Sequence, residues 1–298
     1  MKENNNMSFT NFIPQLWSAR LLANLDNGLV ANLFASRDYE GEIKAYGDTV
    51  NINQLGDITI KDYDGTDIDD PEELESTQQT LTIDQAKYFN FTVKDIDKAQ
   101  ANIDLVDASM GRAGYAMDSV VDKDTFAVAA DGAGVKVGTA ASPKKINVNN
   151  AYDEIVMLGV KLDENNVPRF GRKLALPAWY FGLLSRDVRF TKDLTILANG
   201  VAQGATVGGF QLVSSNNLKT EATGGAVHAI AAGGISQSNN GKVLGPLQLA
   251  MQVVEIEAYR PEKNFSDAVK GLTVWGRKVV QPKEIADFVI VNDDGNTP

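Results

Sequence analysis

The residues of this chain that could carry out chemistry are few. It has one histidine and no cysteine, so disulfides, zinc–thiolate sites, thiol nucleophiles and metal sites built on several histidines are excluded. A Ser-His-Asp triad would have to form around His228, which lies in the alternating, strand-like run AVHAIAA. We interpret His228 as a structural or surface histidine.

The glycine-rich segments do not match the nucleotide-binding motifs. Gly132, Gly134 and Gly138 miss the G-x-G-x-x-G spacing by one position and follow a helical pattern, whereas that motif must follow a strand. In GGISQSNNGKV, six residues separate Gly234 from Gly241, and a valine stands where a P-loop needs Ser or Thr. We therefore predict that the protein is not an enzyme and that it uses no cofactor.

A dense run of carboxylates, DYDGTDIDDPEELE at positions 62–75, is the remaining candidate site. Carboxylate oxygens suit Ca²⁺, but an EF-hand loop needs glycine at its sixth position, and Gly65 is the fourth residue of the run. A run of like charges is more typical of a solvated face or an electrostatic contact, so we predict no metal site. The carboxylates of this acidic tip are Asp62, Asp64, Asp67, Asp69, Asp70, Glu72, Glu73 and Glu75.

Two alternating segments flank the acidic tip and predict an extended β ribbon over residues 48–93. An arm of about 15 residues at ~3.3 Å each would span about 50 Å, more than a usual strand. A lone two-stranded ribbon is marginal in water, so we expect this one to lie on another surface. The alternating apolar residues are Val50, Ile52, Ile58 and Ile60 in the first arm, and Leu81, Ile83, Phe89, Phe91 and Val93 in the second.

A long helix is predicted directly after the ribbon, from an N-cap at Asp95 to about Phe126. At 1.5 Å per residue, its ~30 residues would extend about 45 Å. An ordinary core helix or a coiled coil would also produce such a stripe, but the Ala- and Met-rich seam favours one helix lying across a sheet. The stripe consists of Ala99, Ile103, Val106, Met110, Ala113, Met117 and Val120.

The remaining elements are predicted from local signals. An N-terminal arm turns helical at Pro14, residues 129–145 form a loop or short hairpin, and Asn149 or Asn150 caps a helix through Leu162. Pro177 can open another helix. The predicted strands are 173–176, 210–213, 227–231, 253–258, 272–280 and an edge strand at 288–291.

Composition places the chain in the globular class and limits its partners. It has 298 residues, 43% of them hydrophobic, and no apolar run near the ~18 residues that a membrane span needs. We expect neither a membrane association nor export by a signal peptide.

With 39 acidic and 28 basic residues the net charge is −11, which disfavours extensive wrapping of nucleic acid. The small clusters Arg169, Arg172, Lys173 and Arg277, Lys278 are interpreted as ordinary surface or contact charges.

Three runs of sequence resemble the tailed-phage major capsid protein (coat protein) family. They are RDYEGEIKAYGDTVNI at 37–52, LTIDQAKYFNFTVKDIDKAQANIDL at 81–105 and FSDAVKGLTVWGRKVVQP at 265–282. The resemblance covers about residues 9–291. It implies an α+β fold, the tailed-phage major capsid protein fold, with an N-terminal arm, an extended β-hairpin loop, a long spine helix, and peripheral and axial domains.

The resemblance also implies a division of the chain and a function. The arm would be 1–47, the extended loop 48–93, the peripheral domain 94–177 with 256–276, the axial domain 178–255 with 277–291, and the tail 292–298. Such a protein forms pentamers and hexamers of an icosahedral shell around phage double-stranded DNA, which it binds loosely and without sequence specificity. Its other implied partners are scaffolding, portal and decoration proteins, and its implied location is the virion, after synthesis in the host bacterial cytoplasm.

Under this resemblance the acidic tip becomes a predicted contact between subunits. Two alternatives stay open at this point. An encapsulin-like compartment shares the fold but encloses enzymes in place of a genome. A carbohydrate-binding or hydrolytic protein would also be acidic and free of cysteine, with glycine-rich loops.

Overall fold

A computed structural model gives the fold of the chain and confirms the mixed α+β class. Its helices are α1 (Leu105–Gly132), α2 (Ala151–Glu164) and α3 (Ala178–Leu184), with 3₁₀ turns at Ala31–Leu33 and Pro282–Glu284. The structure describes residues 30–39, 46–55, 60, 62, 76–94, 105–187, 189, 206–234, 236–237, 243–262 and 266–294.

The longest strands form one sheet, which has four strands within the described ranges. Its order is β1-β13-β14-β4, with β1 parallel to β13 and the other pairs antiparallel. The alternation of side chains gives this sheet two different faces, one towards α1 and one away from it. Its strands are β1 (Ala35–Ser36), β4 (Gln85–Lys94), β13 (Leu247–Tyr259) and β14 (Ser266–Val279).

Within the described residues, the ribbon consists of β2 (Thr49–Leu55) and β3 (Ser76–Thr82), paired antiparallel from Thr49↔Thr82 to Leu55↔Ser76. The prediction that residues 85–93 belong to its second arm is wrong, because β4 pairs with β14 from Ser266↔Lys94 to Trp275↔Gln85. Phe89 and Phe91 thus belong to the four-stranded sheet, where their rings stack 6.1 Å apart.

Helix α1 packs against both large sheets, contacting β14 of one, and β10 (Val227–Ala232) and β15 (Ile285–Asn292) of the other. The predicted stripe is correct at Met110 and Met117, which are buried, but wrong at Val120, which is 41% exposed. Polar residues Asp118, Asp122 and Thr125 occupy core-facing positions, so the buried face does not follow the apolar pattern. The helix ends at Gly132, six residues beyond the predicted end, and residues 95–104 lie outside the described ranges.

The second large sheet contributes many of the buried residues of the core. Its order among the described strands is β5-β15-β10-β7-β9-β8, and β6 also pairs with β15. The prediction of an edge strand at 288–291 is wrong, because β15 lies between β10 and β5. Its strands are β5 (Val135–Val137), β6 (Lys144–Ile146), β7 (Lys173–Leu176), β8 (Thr206–Val207), β9 (Phe210–Ser214), β10 (Val227–Ala232) and β15 (Ile285–Asn292).

Several local predictions are confirmed and one is corrected. Strand β7 has the predicted bounds, Asn150 is the N-cap residue of α2, and Pro177 directly precedes α3. In residues 129–145, predicted as a loop or short hairpin, β5 and β6 each pair in parallel with β15, and one antiparallel bridge, Thr139↔Ser142, lies between them. One continuous apolar cluster joins both sheets and all three helices. A short hairpin of β11 (Ser236–Gln237) and β12 (Val243–Leu244) completes the described elements.

Candidate subunit-contact site

The base of the ribbon is docked on its own chain. Val50, Ile52, Leu81 and Ile83 are at most 3% exposed and pack against the face of the four-stranded sheet that points away from α1. The opposite face of the ribbon is polar and exposed at Thr49, Asn51, Thr80 and Thr82. The expectation that the whole ribbon lies on another surface is thereby narrowed: its base lies on its own sheet.

Close backbone approach explains how the ribbon base sits so near the sheet. A Cβ atom on Gly276 of β14 would lie 2.3 Å from the carbonyl oxygen of Thr82 and 2.8 Å from Cδ1 of Ile83. No real Cβ atom tolerates the first of these distances, so only glycine fits at position 276.

The part of the ribbon beyond its base contains the acidic tip. Of the eight predicted contact residues, Asp62 lies among the described residues and is exposed. Ile60, two residues earlier, is 90% exposed. Asp64, Asp67, Asp69, Asp70, Glu72, Glu73 and Glu75 lie outside the described residues.

An ion-pair network connects the ribbon base, the sheet and α1. Arg277 of β14 forms ion pairs with Asp124 of α1 and with Asp84, which lies between β3 and β4. Asp124 also accepts a hydrogen bond from Nε1 of Trp275 at 2.8 Å. The Arg277 side chain is 12% exposed, so its interpretation as an ordinary surface charge is wrong.

We expect Arg277→Met to lower the free energy of unfolding by about 2 kcal/mol, because it leaves the Asp124 carboxylate without its cationic partner beside a buried sheet face. The value lies below the usual cost of breaking a buried pair because Asp84 is half-exposed. Urea unfolding followed by circular dichroism would measure it. Lys278→Met, one position along on an exposed side chain, is the matched control and should change stability by less than about 0.5 kcal/mol. Equal effects of the two substitutions would contradict this role of Arg277.

The last described residues of the N-terminal segment are also held against α1. Both carboxylate oxygens of Asp122 accept backbone N–H groups, from Val30 at 3.2 Å and Ala31 at 2.9 Å. Burial raises the pKa of Asp122, and these hydrogen bonds act against that rise. Nζ of Lys173 donates to the carbonyl oxygen of Leu33 at 2.6 Å. Residues 30–33 therefore have a fixed place on the body of the protein.

His228 is buried between two carboxylates. Its Nδ1 lies 2.9 Å from Oδ1 of Asp287 and its Nε2 lies 3.0 Å from Oε1 of Glu221. Each ring nitrogen therefore has a carboxylate oxygen within hydrogen-bonding distance. The arrangement ties β10 to β15 and to the turn that holds Glu221, as a structural histidine would. Burial raises the pKa of Asp287, against the effect of its hydrogen bond to His228.

The raised pKa of Asp287 sets a pH dependence. The folded state binds the proton of the Asp287 carboxyl group more tightly than the unfolded chain does. The protonated carboxyl group therefore stabilises the fold below the unfolded pKa of about 3.9, and this stabilisation is lost as pH rises through the folded pKa. We expect the unfolding free energy of the wild type, relative to Asp287→Asn, to fall as pH is raised through the interval that begins near the unfolded pKa of about 3.9. Chemical denaturation of both proteins across this window measures the difference. A relative stability that rises over the same interval would refute the assignment.

The loop at residues 165–172, between α2 and β7, presents one aromatic side chain to solvent. Phe170 is 91% exposed, whereas Arg172 is 2% exposed. The Arg172 guanidinium donates to the carbonyl oxygens of Pro168 at 2.9 Å and Val167, and it pairs with Asp163 at 2.8 Å. Arg172 is thus an internal anchor, and its interpretation as a surface charge is wrong.

A shallow groove lies farther along the sheet face that carries the ribbon base. Tyr88, 77% exposed, and Leu272 contribute apolar surface to it. Glu255, Glu257 and Lys270 supply its charge, with Nζ of Lys270 2.6 Å from Oε2 of Glu257.

Within the described ranges, no group of three or more His, Asp or Glu side chains is placed to hold a metal ion. None of the helices in the same part of the chain has the length and apolar character that a membrane span requires.

Known structures share this fold over nearly the whole chain. A chain from Mycobacterium phage Che8 is 26% identical, with a TM-score of 0.66 over 87% of this chain and 89% of that one. The capsid of Ralstonia phage GP4 matches at 14% identity and a TM-score of 0.62, covering 89% and 88% of the two chains. A virus-like particle from Pyrococcus furiosus matches at 12% identity and a TM-score of 0.53, covering 93% and 99%. A comparison with curated protein sequences gives no match.

The fold therefore defines a shell-forming structural protein of the tailed-phage capsid class. The family described as phage capsid protein matches residues 76–288, which is most of the chain. This chain belongs to the phage capsid protein family and is a shell subunit of a bacteriophage virion.

Proposed function

We propose that this protein is the major capsid protein of its phage, and that it assembles into the pentamers and hexamers of an icosahedral shell around double-stranded DNA. The observation that carries the proposal is the capsid fold, shared over 87% of this chain with a phage relative. Within that fold, the ribbon base is fixed to the sheet, and the acidic tip lies in the chain between β2 and β3.

The ribbon supplies the contact that the proposal needs most. A closed shell requires each subunit to present complementary surfaces to its neighbours, and a projecting ribbon adds contact area without enlarging the core. We propose that the acidic tip, residues 62–75, lies on an adjacent subunit. Asp62 and Ile60 are exposed on this chain, as the proposal requires.

The proposed role includes a division of labour along the chain. The peripheral domain would comprise 94–177 with 256–276, and the axial domain, 178–255 with 277–291, would line the centre of each capsomer. The arm, 1–47, would add contacts beside the ribbon. Asp122 and Lys173 hold residues 30–33 on the body, which gives such an arm a fixed starting point.

The net negative charge of the protein is compatible with a shell that encloses DNA without binding it tightly. At a net charge of −11, the shell would repel phosphate at long range and hold DNA loosely and without sequence specificity. We propose that the protein has no catalytic activity. Scaffolding, portal and decoration proteins are the proposed additional partners, and the virion is its proposed location after synthesis in the host bacterial cytoplasm.

Electron microscopy and sedimentation of the protein purified from phage particles and from recombinant expression test this function. We expect closed shells with five- and six-membered rings, and phage particles that protect double-stranded DNA from nuclease. Closed shells that protect enzymes and no DNA would favour a protein compartment instead. A protein that stays monomeric under every condition, including co-expression with the other capsid proteins, would refute assembly altogether.

A further inference from the structure

We propose that Asp287, His228 and Glu221 form a pH-sensitive latch on the hairpin at residues 219–228, which we call the Glu221 hairpin. The latch is closed while the three side chains share two protons, and it opens when one of the two is lost as pH rises. It is a property of the single subunit, so it goes beyond the proposed function and does not depend on assembly.

The Glu221 hairpin is a tight turn with an exposed tip. N–H of Glu221 donates to the carbonyl oxygen of Ala226 at 2.8 Å, and N–H of His228 donates to that of Lys219 at 2.9 Å. Residues 222–225, at the tip, are exposed. A short hairpin of two strands is marginally stable by itself, so one side-chain contact can decide whether its tip is ordered.

A row of three side chains joins this hairpin to the second large sheet. Nδ1 of His228 lies 2.9 Å from Oδ1 of Asp287 in β15, and Nε2, on the other side of the ring, lies 3.0 Å from Oε1 of Glu221. The side chain of Asp287 is 5% exposed, whereas that of Glu221 is 32% exposed. Glu221 can therefore turn towards solvent, and Asp287 is held inside the protein.

The two contacts of the imidazole together need two protons. Each contact joins a ring nitrogen to a carboxylate oxygen, and a hydrogen bond forms there when one of these two atoms carries a proton. Both protons can lie on the imidazole, or one on its Nε2 and one on Asp287, and the number is the same in each case. With one proton left, one of the contacts brings two lone pairs together and becomes repulsive.

The contact that opens is the one with Glu221. A carboxylate that moves into water regains its hydration, and the partly exposed Glu221 can do so without disturbing the sheet. Asp287 lies in β15, between β10 and β5, so it keeps the remaining hydrogen bond to His228. Loss of one proton therefore releases the hairpin and leaves the sheet intact.

Three further charged groups lie beside this row. Lys136 of β5 is opposite Asp287 in the register of the sheet, and Nζ of Lys219 in the hairpin pairs with Oδ1 of Asp131 of α1 at 2.6 Å. Histidine is the side chain whose charge ordinarily changes between about pH 5 and 8. We therefore expect the row, and not these three groups, to lose a proton in that interval.

Hydrogen exchange across a pH series tests the latch. In the wild type, we expect the protection factors of the amides of residues 221 and 228 to fall at least about fivefold as pH rises from about 5 to about 9. The amide of Gln211, which donates to the carbonyl oxygen of Arg172 outside the hairpin, should keep its protection and is the internal reference. Ring ¹⁵N signals of His228, the one histidine of the chain, record the loss of the proton in the same samples.

Glu221→Gln is the decisive variant. The amide of Gln can accept a hydrogen bond from a protonated Nε2 or donate one to a bare Nε2, so it keeps the contact in both protonation states. Protection of its hairpin should therefore not change with pH. Asp131→Asn, which removes the ion pair of Lys219, is the matched control and should keep the pH dependence of the wild type.

Three results would overturn the latch. They are hairpin protection in the wild type that does not change with pH, an unchanged pH dependence in Glu221→Gln, and a pH dependence that disappears in Asp131→Asn. A subunit that shows the expected exchange but never assembles would refute the proposed function and leave the latch in place.

Discussion

Replacing residues 62–75 by a two-residue turn is expected to abolish shell formation while the body of the protein stays folded. The ribbon base provides the reason, because its apolar residues, including Ile52 and Leu81, are buried on the chain's own sheet. The segment removed carries eight carboxylates and lies beyond that base. We expect the unfolding midpoint to move by less than about 2 °C, since few core contacts change. Sedimentation and circular dichroism on the same preparation measure both properties.

A charge-neutral variant separates the shape of the tip from its charge. Changing all eight carboxylates of the acidic tip to Asn or Gln keeps the length of the ribbon and removes the negative charge. If the tip binds through ion pairs, this variant should assemble only at higher concentration, and the assembly of the wild type should weaken as salt is raised. Normal shells from the shortened chain would show that the tip makes no contact between subunits.

Gly276→Ala is expected to destabilise the protein by about 3 kcal/mol and to impair assembly as well. The added methyl group would lie 2.3 Å from the carbonyl oxygen of Thr82, and a backbone oxygen cannot move aside as a flexible side chain could. The ribbon base must lift away from β14, which uncovers Leu81 and Ile83. Denaturant unfolding measures the first effect, and the assembly threshold measures the second.

Gly111→Ala is the matched control for this substitution. A Cβ atom on Gly111 of α1 would have no neighbour within 4 Å, so the change adds helix propensity without overlap. We expect it to stabilise the protein by about 0.5 to 1 kcal/mol. A Gly276→Ala protein as stable as the wild type would mean that the ribbon base is not in close contact with β14.

Local signals predicted local structure well. Strand β7 and the start of α3, which Pro177 precedes, follow from residues within or next to each element. The start of α2 was also predicted at the right position, although the side chain of its N-cap residue Asn150 makes no capping hydrogen bond. The alternation at Val50, Ile52, Leu81 and Ile83 correctly indicated a ribbon with one buried face. Its partner surface could not be predicted, because Ala250, Val274 and Val280 are distant in sequence.

The wrong predictions arose where pairing between distant residues decides the structure. Phe89 and Phe91 alternate as the ribbon does, but β4 pairs with β14, about 180 residues later in the chain. Strand β15 has a continuous apolar run, which is compatible with an edge or a central position until its neighbours are known. Asp122 occupies a core-facing position on α1 because backbone N–H groups need its carboxylate, and no hydrophobic pattern signals that.

The candidate contact residues divide in the same way. The acidic tip was identified from sequence because a run of like charges is visible without a structure. The burial of Arg172 was missed, because a cluster of basic residues has the same sequence whether its members are exposed or anchored inside the protein.

The ion pairs that Arg277 forms with Asp84 and Asp124 have a mechanical consequence. They connect the ribbon base, the four-stranded sheet and α1 through one side chain, which favours movement of these three parts as one unit. In the proposed shell, a tilt imposed on the ribbon by a neighbour would then also turn the long helix. The rings of five and of six subunits that we propose need different curvature, and we expect the bending that provides it to occur outside that joint.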